Sequence, residues 1–168
     1  MKVPPTPKGY NTVNPFIITT DARKLISFIK EVFAAEERSE AFTTDTDGLV
    51  LHAELTLGNS VILCVDSKKD WPVTPAFLQV YVEDVEQTLK KAQALGGKII
   101  TKPTDFYGDM FSRMLDPYGN LWWIYQHTTE MAWDDSASSD DTSWDASSEG
   151  LNYIHQTIMD IMPTLGKK

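Results

Sequence analysis

The order of structural elements spelled out by this chain occurs twice, and that repeat limits the fold more than any single motif. In the first half Thr12–Thr19 reads as a strand, with Pro15 placing it at a sheet edge or marking an irregular start. Asp21 is an N-cap candidate, and Leu25, Ile26, Ile29, Val32 and Phe33 follow at helical spacing. Glu37–Thr44 reads as a short strand. Leu49–Leu57 then alternates, with Leu49, Leu51, Ala53, Leu55 and Leu57 on one side and Val50, His52, Glu54 and Thr56 on the other. Gly58-Asn59 is a two-residue hairpin loop and Ser60–Val65 the returning strand. After a turn-rich link the order recurs: a strand at Ala76–Val82, a helix capped by Asp84 and ended by Gly96-Gly97, and strands at Lys98–Thr101, Met110–Leu115 and Leu121–Gln126. One strand, one helix and three strands leave a sheet face uncovered, so the two halves must pair. The expected fold is α+β, with two paired βαβββ modules at residues 12–66 and 76–127.

The stretch Asp116–Tyr125, DPYGNLWWIY, fixes a register. Asp-Pro and Gly-Asn are turn signals, and the aromatic and β-branched run after them suits a half-buried strand. With a five-residue loop at Asp116–Asn120, Leu115 faces Leu121 and Arg113 faces Trp123, so Arg113, Trp123 and Tyr125 share a face opposite Trp122. The shorter loop at Gly58-Asn59 likewise sets Leu55 against Ile62 and Glu54 against Leu63.

The net charge of −9 over 168 residues is unevenly placed. Residues 1–127 hold 13 Lys/Arg and 16 Asp/Glu, whereas 128–150 hold seven acids and no Lys or Arg. No basic stripe exists to neutralise a phosphate backbone, which argues against nucleic-acid binding. Residues 128–150, rich in Ser and Asp, read as a linker. In 151–163 the residues Leu151, Ile154, Ile158 and Ile161 share one face of an amphipathic helix. With no long apolar run and one cysteine, Cys64, the expectation is a cytoplasmic protein without membrane span or disulfide framework.

The segments GYNTVNPFIITTDARKLISFIKEVFAAEE, LHAELTLGNSVILCV, FYGDM and DPYGNLWWI, in this order, resemble the vicinal oxygen chelate superfamily of glyoxalase, bleomycin-resistance and extradiol-dioxygenase proteins, and within it the PhnB-like branch. The resemblance covers a body at residues 9–127 and implies two βαβββ modules forming a cupped mixed sheet, often as a homodimer. It also implies a divalent metal held by His, Gln and Glu of the first and last strands of each module. Those positions fall near Asn14, Leu63, Phe77 and Trp123, three of which cannot ligate a metal. The expectation is therefore no metal and no other cofactor.

Two groups of residues could carry chemistry instead. His52 and Glu54, two apart on one strand, point the same way and could hold a polar ligand, move a proton or bind a displaced metal; they are the catalytic candidates. A structural hydrogen-bonded pair accounts for them equally well. On the second module Phe77, Gln79, Tyr81, Phe111, Arg113, Trp123 and Tyr125, with Asn14 and a gate at Tyr107, form the ligand-binding candidates for an anionic or aromatic small molecule. Alternatively, side chains and the terminal helix fill this cup. Free in a cup, Arg113 should tolerate replacement by Ala, while Trp122→Ala should destabilise. Three functions remain open: a metal-free small-molecule-binding protein, a lyase or isomerase working through His52 and Glu54, and an interaction module using the acidic tail and terminal helix.

Overall fold

The computed structural model describes residues 3–128 and 147–167. In the first module β1 (Phe16–Thr19), α1 (Ala22–Phe33), β2 (Glu36–Glu37), β3 (Thr43–Thr44), β4 (Val50–Leu57) and β5 (Ser60–Asp66) form a sheet of order β1-β5-β4-β2, with β3 also on β4. In the second, β6 (Phe77–Tyr81), α2 (Val85–Ala94), β7 (Lys98–Phe106), β8 (Asp109–Leu115) and β9 (Leu121–Gln126) form a sheet of order β6-β9-β8-β7. In both, the first strand runs parallel to the last and the other pairs are antiparallel. This is the expected α+β pair of βαβββ modules, with a terminal helix α3 (Glu149–Ile161) added. Among the described residues the two sheets remain separate ladders.

One core joins the modules. The apolar stripe of α1 (Leu25, Ile26, Ile29, Val32, Phe33) and that of α2 (Val85, Leu89, Ala92) meet the inward rows of both sheets. Phe33 tilts against Trp122 with centroids 4.7 Å apart. The caps are those expected: Asp21 accepts from Lys24 N and Asp84 from Gln87 N. Asp116 draws its turn shut. Its Oδ1 accepts from Tyr118 N and Asn120 N, and its Oδ2 from Asn120 Nδ2 and Trp122 Nε1, all at 2.9 Å. Asn120 Oδ1 accepts in turn from Ala76 N at 3.0 Å, which ties the hairpin to the start of β6.

Several local expectations need correction. β1 begins only at Phe16, because Asn11 and Asn14 bond each other and Pro15 has no N–H for a ladder. The strand expected over Glu37–Thr44 is broken by a 3-10 turn at Ser39–Ala41. Leu51 is 51% exposed and Val50 1%, the reverse of simple alternation. Thr43 pairs with His52 and Thr44 with Val50, so Leu51 is an extra residue that flips the side-chain phase. β7 runs on to Phe106 through register shifts flanking Thr101, and closes on β8 through Tyr107-Gly108, both at positive φ. Helix α3 starts at Glu149, before the expected Leu151, because Ser148 Oγ caps Leu151 N. The expected acidic linker, with Trp133 and Trp144, lies mostly outside the described residues.

Candidate functional site

The face of each sheet turned away from α1 and α2 is set by the two hairpins, in the registers their loops predict: Glu54 opposite Leu63, and Arg113 opposite Trp123. Aligning the modules on their helix starts matches Phe16 with Gln79, which lie beside Leu63 and Trp123 on the parallel side. Through the ladders, Glu54 and Arg113 then hold equivalent positions. Two opposite charges, 4% and 6% exposed, thus occupy the same place in the two repeats.

Glu54 is enclosed by donors. Tyr10 OH donates to both its oxygens (2.8 and 2.6 Å), His52 Nε2 lies 2.8 Å from Oε1, and Arg38 Nη1 donates to Oε2 at 3.3 Å. Arg38 also donates to Thr56 Oγ1 and Gly9 O, and lies 4.9 Å over the Tyr10 ring. Burial acts to raise the Glu54 pKa, but the hydrogen bonds from Tyr10 and His52 and the charges of His52 and Arg38 outweigh it, leaving the carboxyl below its ordinary range. The chain before β1 is thereby fastened across this half of the cup.

Arg113 stands in a different environment. Its Nη1 donates to Ile154 O at 2.8 Å and to Thr101 and Thr157 Oγ1, each at 3.2 Å. The guanidinium lies 4.7 Å over Phe111 and 5.3 Å over Trp123. Every acceptor is neutral. Among the described residues no carboxylate pairs with it, and its buried Nε has no hydrogen-bond partner. Burial pulls its pKa below the ordinary value. The expectation of a free arginine in an open cup is thus corrected: α3 covers it, and Arg113→Ala would leave a void and loosen that helix.

Beside α3 the face stays open. Phe77 and Tyr81 are 51% and 61% exposed. Trp123 meets Phe77 edge-on at 6.0 Å, and Tyr125 packs on Tyr81 at 5.4 Å. Gln79, also exposed, bonds Tyr81 OH at 3.3 Å. Phe111 is buried behind them among Phe106 and Tyr125. Two candidates stand apart: Tyr107 packs on Phe106 at the hairpin tip, and Asn14 is engaged in its loop with Asn11. Cys64 lies on the helix side, where burial, then Asp116, pushes its thiol up to about 12.

The superfamily's divalent metal does not fit this face. Strand register corrects two of the expected positions, Asn14 and Phe77, to Phe16 and Gln79; of Phe16, Leu63, Gln79 and Trp123, only Gln79 offers a metal-ligating atom. Among the described residues no group of three His, Cys, Asp or Glu could hold a metal ion. Sequence reasoning missed Tyr10 and Arg38 around Glu54, and Thr101 and Thr157 around Arg113. Thr157 gave one signal: it is a hydroxyl flanked by Ile154, Ile158 and Ile161 on the apolar side of α3.

Residues 10–124 match the Glyoxalase/Bleomycin resistance protein/Dioxygenase superfamily. An uncharacterized protein of Mycobacterium bovis is 25% identical over 135 residues, covering 73% of this chain and 88% of that one. Among solved structures, TioX from Micromonospora sp. ML1 is similar at 20% identity and a TM-score of 0.54, covering 68% of this chain and 98% of that one. A PhnB protein from Bacillus cereus, titled a putative 3-demethylubiquinone-9 3-methyltransferase, gives 20% and 0.54, covering 69% and 99%. At such identities the likeness to the solved structures is one of fold, a fold consistent with small-molecule binding in the sheet cup.

Proposed function

The chain belongs to the Glyoxalase/Bleomycin resistance protein/Dioxygenase superfamily, and we propose that it is a metal-free small-molecule-binding member whose ligand is an anion with a flat aromatic part. The observation that carries this reading is Arg113, a buried guanidinium with neutral partners and an unused Nε. No carboxylate among the described residues meets this buried cation, whose burial costs several kcal/mol, roughly, and the arrangement suits an incoming anion. A carboxylate or phosphonate would take Nε and Nη together, a pairing open to arginine and not to lysine. The rings of Trp123, Phe77, Tyr81 and Tyr125 would cover the apolar part, with the Gln79 amide at its edge.

His52 and Glu54 take a holding role in this proposal. Glu54 is already enclosed by Tyr10, His52 and Arg38, so it keeps the N-terminal arm closed and is a poor acceptor for a substrate proton. Edge strands β1 and β6 carry the exposed rings Phe16 and Phe77, a surface suited to a second copy of the chain.

The test is titration of the full chain with phenylphosphonate and benzoate, followed at the indole N–H groups by NMR. Trp123 is expected to shift, while Trp122, bonded to Asp116 on the far face, stays still. Arg113→Met should abolish the shift. One zinc, nickel, manganese or iron per purified chain, lost in His52→Ala, would refute the metal-free reading and favour a lyase or isomerase.

A further inference from the structure

We infer that α3 is a built-in occupant of the second half-cup, and that an anionic ligand reaches Arg113 only by displacing it; this rests on the anion-anchor reading above. The helix begins at Glu149, beyond the superfamily match at residues 10–124, so it is an addition to the two-module body. Its grip on the sheet includes three polar contacts. Lys102 N donates to Tyr153 OH at 2.9 Å, the Thr101 and Thr157 hydroxyls meet at 2.7 Å, and Arg113 Nη1 donates to Ile154 O at 2.8 Å.

The last contact is an unequal one. Ile154 O also accepts from Thr157 Oγ1 at 3.0 Å, so the helix keeps a donor there if Arg113 leaves. Among the described residues Arg113 in exchange receives only neutral acceptors, and its Nε has no partner. An anion satisfies the guanidinium better than the helix does, and the helix tolerates losing it. The exchange therefore runs towards ligand when ligand is present. The exposed platform of Phe77 and Tyr81 beside α3 gives the aromatic part a first landing place. Because α3 is tethered in the same chain, it competes at an effective concentration on the order of millimolar. If the open state is populated at about 1–10%, apparent affinity is reduced by about ten- to a hundredfold.

A reversible lock separates the possibilities. A Cβ built on Gly150 lies 3.3 Å from Thr104 Cγ2, within reach of a disulfide, so the full chain carrying Thr104→Cys and Gly150→Cys can pin α3 to β7. Cys64, buried and with its thiol pushed up to about 12, should stay out of the oxidation. With phenylphosphonate as probe, the oxidised protein, in which the disulfide closes off the open state, is expected to bind at least about tenfold more weakly than the reduced, because apparent affinity scales with the open fraction. A Tyr153→Phe/Thr157→Val chain, which lacks two of the polar contacts, should bind more tightly than wild type. In wild type, amide exchange over 151–158 should speed up as probe is added. Equal binding by the oxidised and reduced forms, or protection of α3 by the probe, would overturn displacement and leave the anion site standing. Failure of all forms to bind, the loosened variant included, would remove the anion reading and this inference with it.

Discussion

Replacing Arg113 by Met separates a residue kept for packing from one kept for ligand. Arg113 is 6% exposed, and among the described residues all its hydrogen bonds fall on one nitrogen, with two rings at 4.7 and 5.3 Å. Hydrogen bonds to a charged group contribute about 1.5–3 kcal/mol each, and the two protons of Nη1 serve three acceptors, so they supply about 3–6 kcal/mol. The two cation–π contacts add about 0.5–2 kcal/mol each. Against them stands a desolvation cost of several kcal/mol, roughly, which no opposite charge among the described residues offsets. The two sides are of similar size and roughly cancel. Methionine has a similar reach, and its sulfur contacts aromatic rings favourably by about 0.3–1.5 kcal/mol. Ile154 O keeps Thr157 Oγ1, and the Thr101 and Thr157 hydroxyls keep each other. Arg113→Met should therefore leave stability within about 1 kcal/mol of wild type or raise it, whereas Arg113→Ala, which opens a cavity, should lower it by about 2–5 kcal/mol. Urea unfolding of the full-length variants, followed by circular dichroism, measures both. If Met destabilises as much as Ala, the guanidinium is a structural part of the core, and the case for a missing anion collapses.

Other positions give separate checks. Asp116→Asn sets an amide NH₂ against two donors, Asn120 Nδ2 and Trp122 Nε1 or Tyr118 N and Asn120 N, so two buried bonds are lost; a drop of about 2–6 kcal/mol is expected in the same unfolding assay, and a drop below about 1 would refute the account of the turn. Trp122→Ala removes a fully buried ring stacked on Phe33 and should cost about 3–5 kcal/mol, read as a fall in melting temperature. Glu54 has a folded pKa below its unfolded value, so its contribution is complete above about pH 4.3 and is lost as pH falls through the folded value. The stability gap between wild type and Glu54→Gln should thus shrink on acidification, and a gap that grows would reverse the sign argued here. Cys64 should resist alkylation at pH 8 until urea unfolds the chain; rapid labelling of folded protein would contradict its burial.

Local rules carried most of the fold. Helix stripes, aspartate caps and the loops at Gly58-Asn59 and Asp116–Asn120 are settled by neighbours in sequence, and the hairpin registers follow from loop length alone. The alternation read over Leu49–Leu57 failed at Leu51, because the bulge there depends on β3, a partner too short to announce itself. The surroundings of both charges were hidden for a similar reason. Tyr10 reaches Glu54 across 44 positions and Ile154 reaches Arg113 across 41, and no periodicity encodes such separations. Arg38 was closer to legible. Its N–H bonds Glu54 O at 2.9 Å, so knowing that Glu37 faces Leu55 would have set it beside the carboxylate.

The segments flanking the two modules, at Tyr10 and in α3, both lie on the cup, and each meets a buried charge at the equivalent place in its repeat. What differs is the match. At Glu54 an anion meets a cation, a phenol and an imidazole, so any group displacing the N-terminal arm must replace charge-assisted bonds of about 1.5–3 kcal/mol each. At Arg113 a cation meets a carbonyl and two hydroxyls, and an incoming anion gains what the helix never supplied. Two closures of similar form therefore differ in how readily they yield, and the direction of that difference follows from charge alone. The first half-cup is shut by electrostatics. The second is held by shape and a few neutral bonds, so under the proposed function ligand would enter at β8 and β9, and a single guanidinium would select for anions.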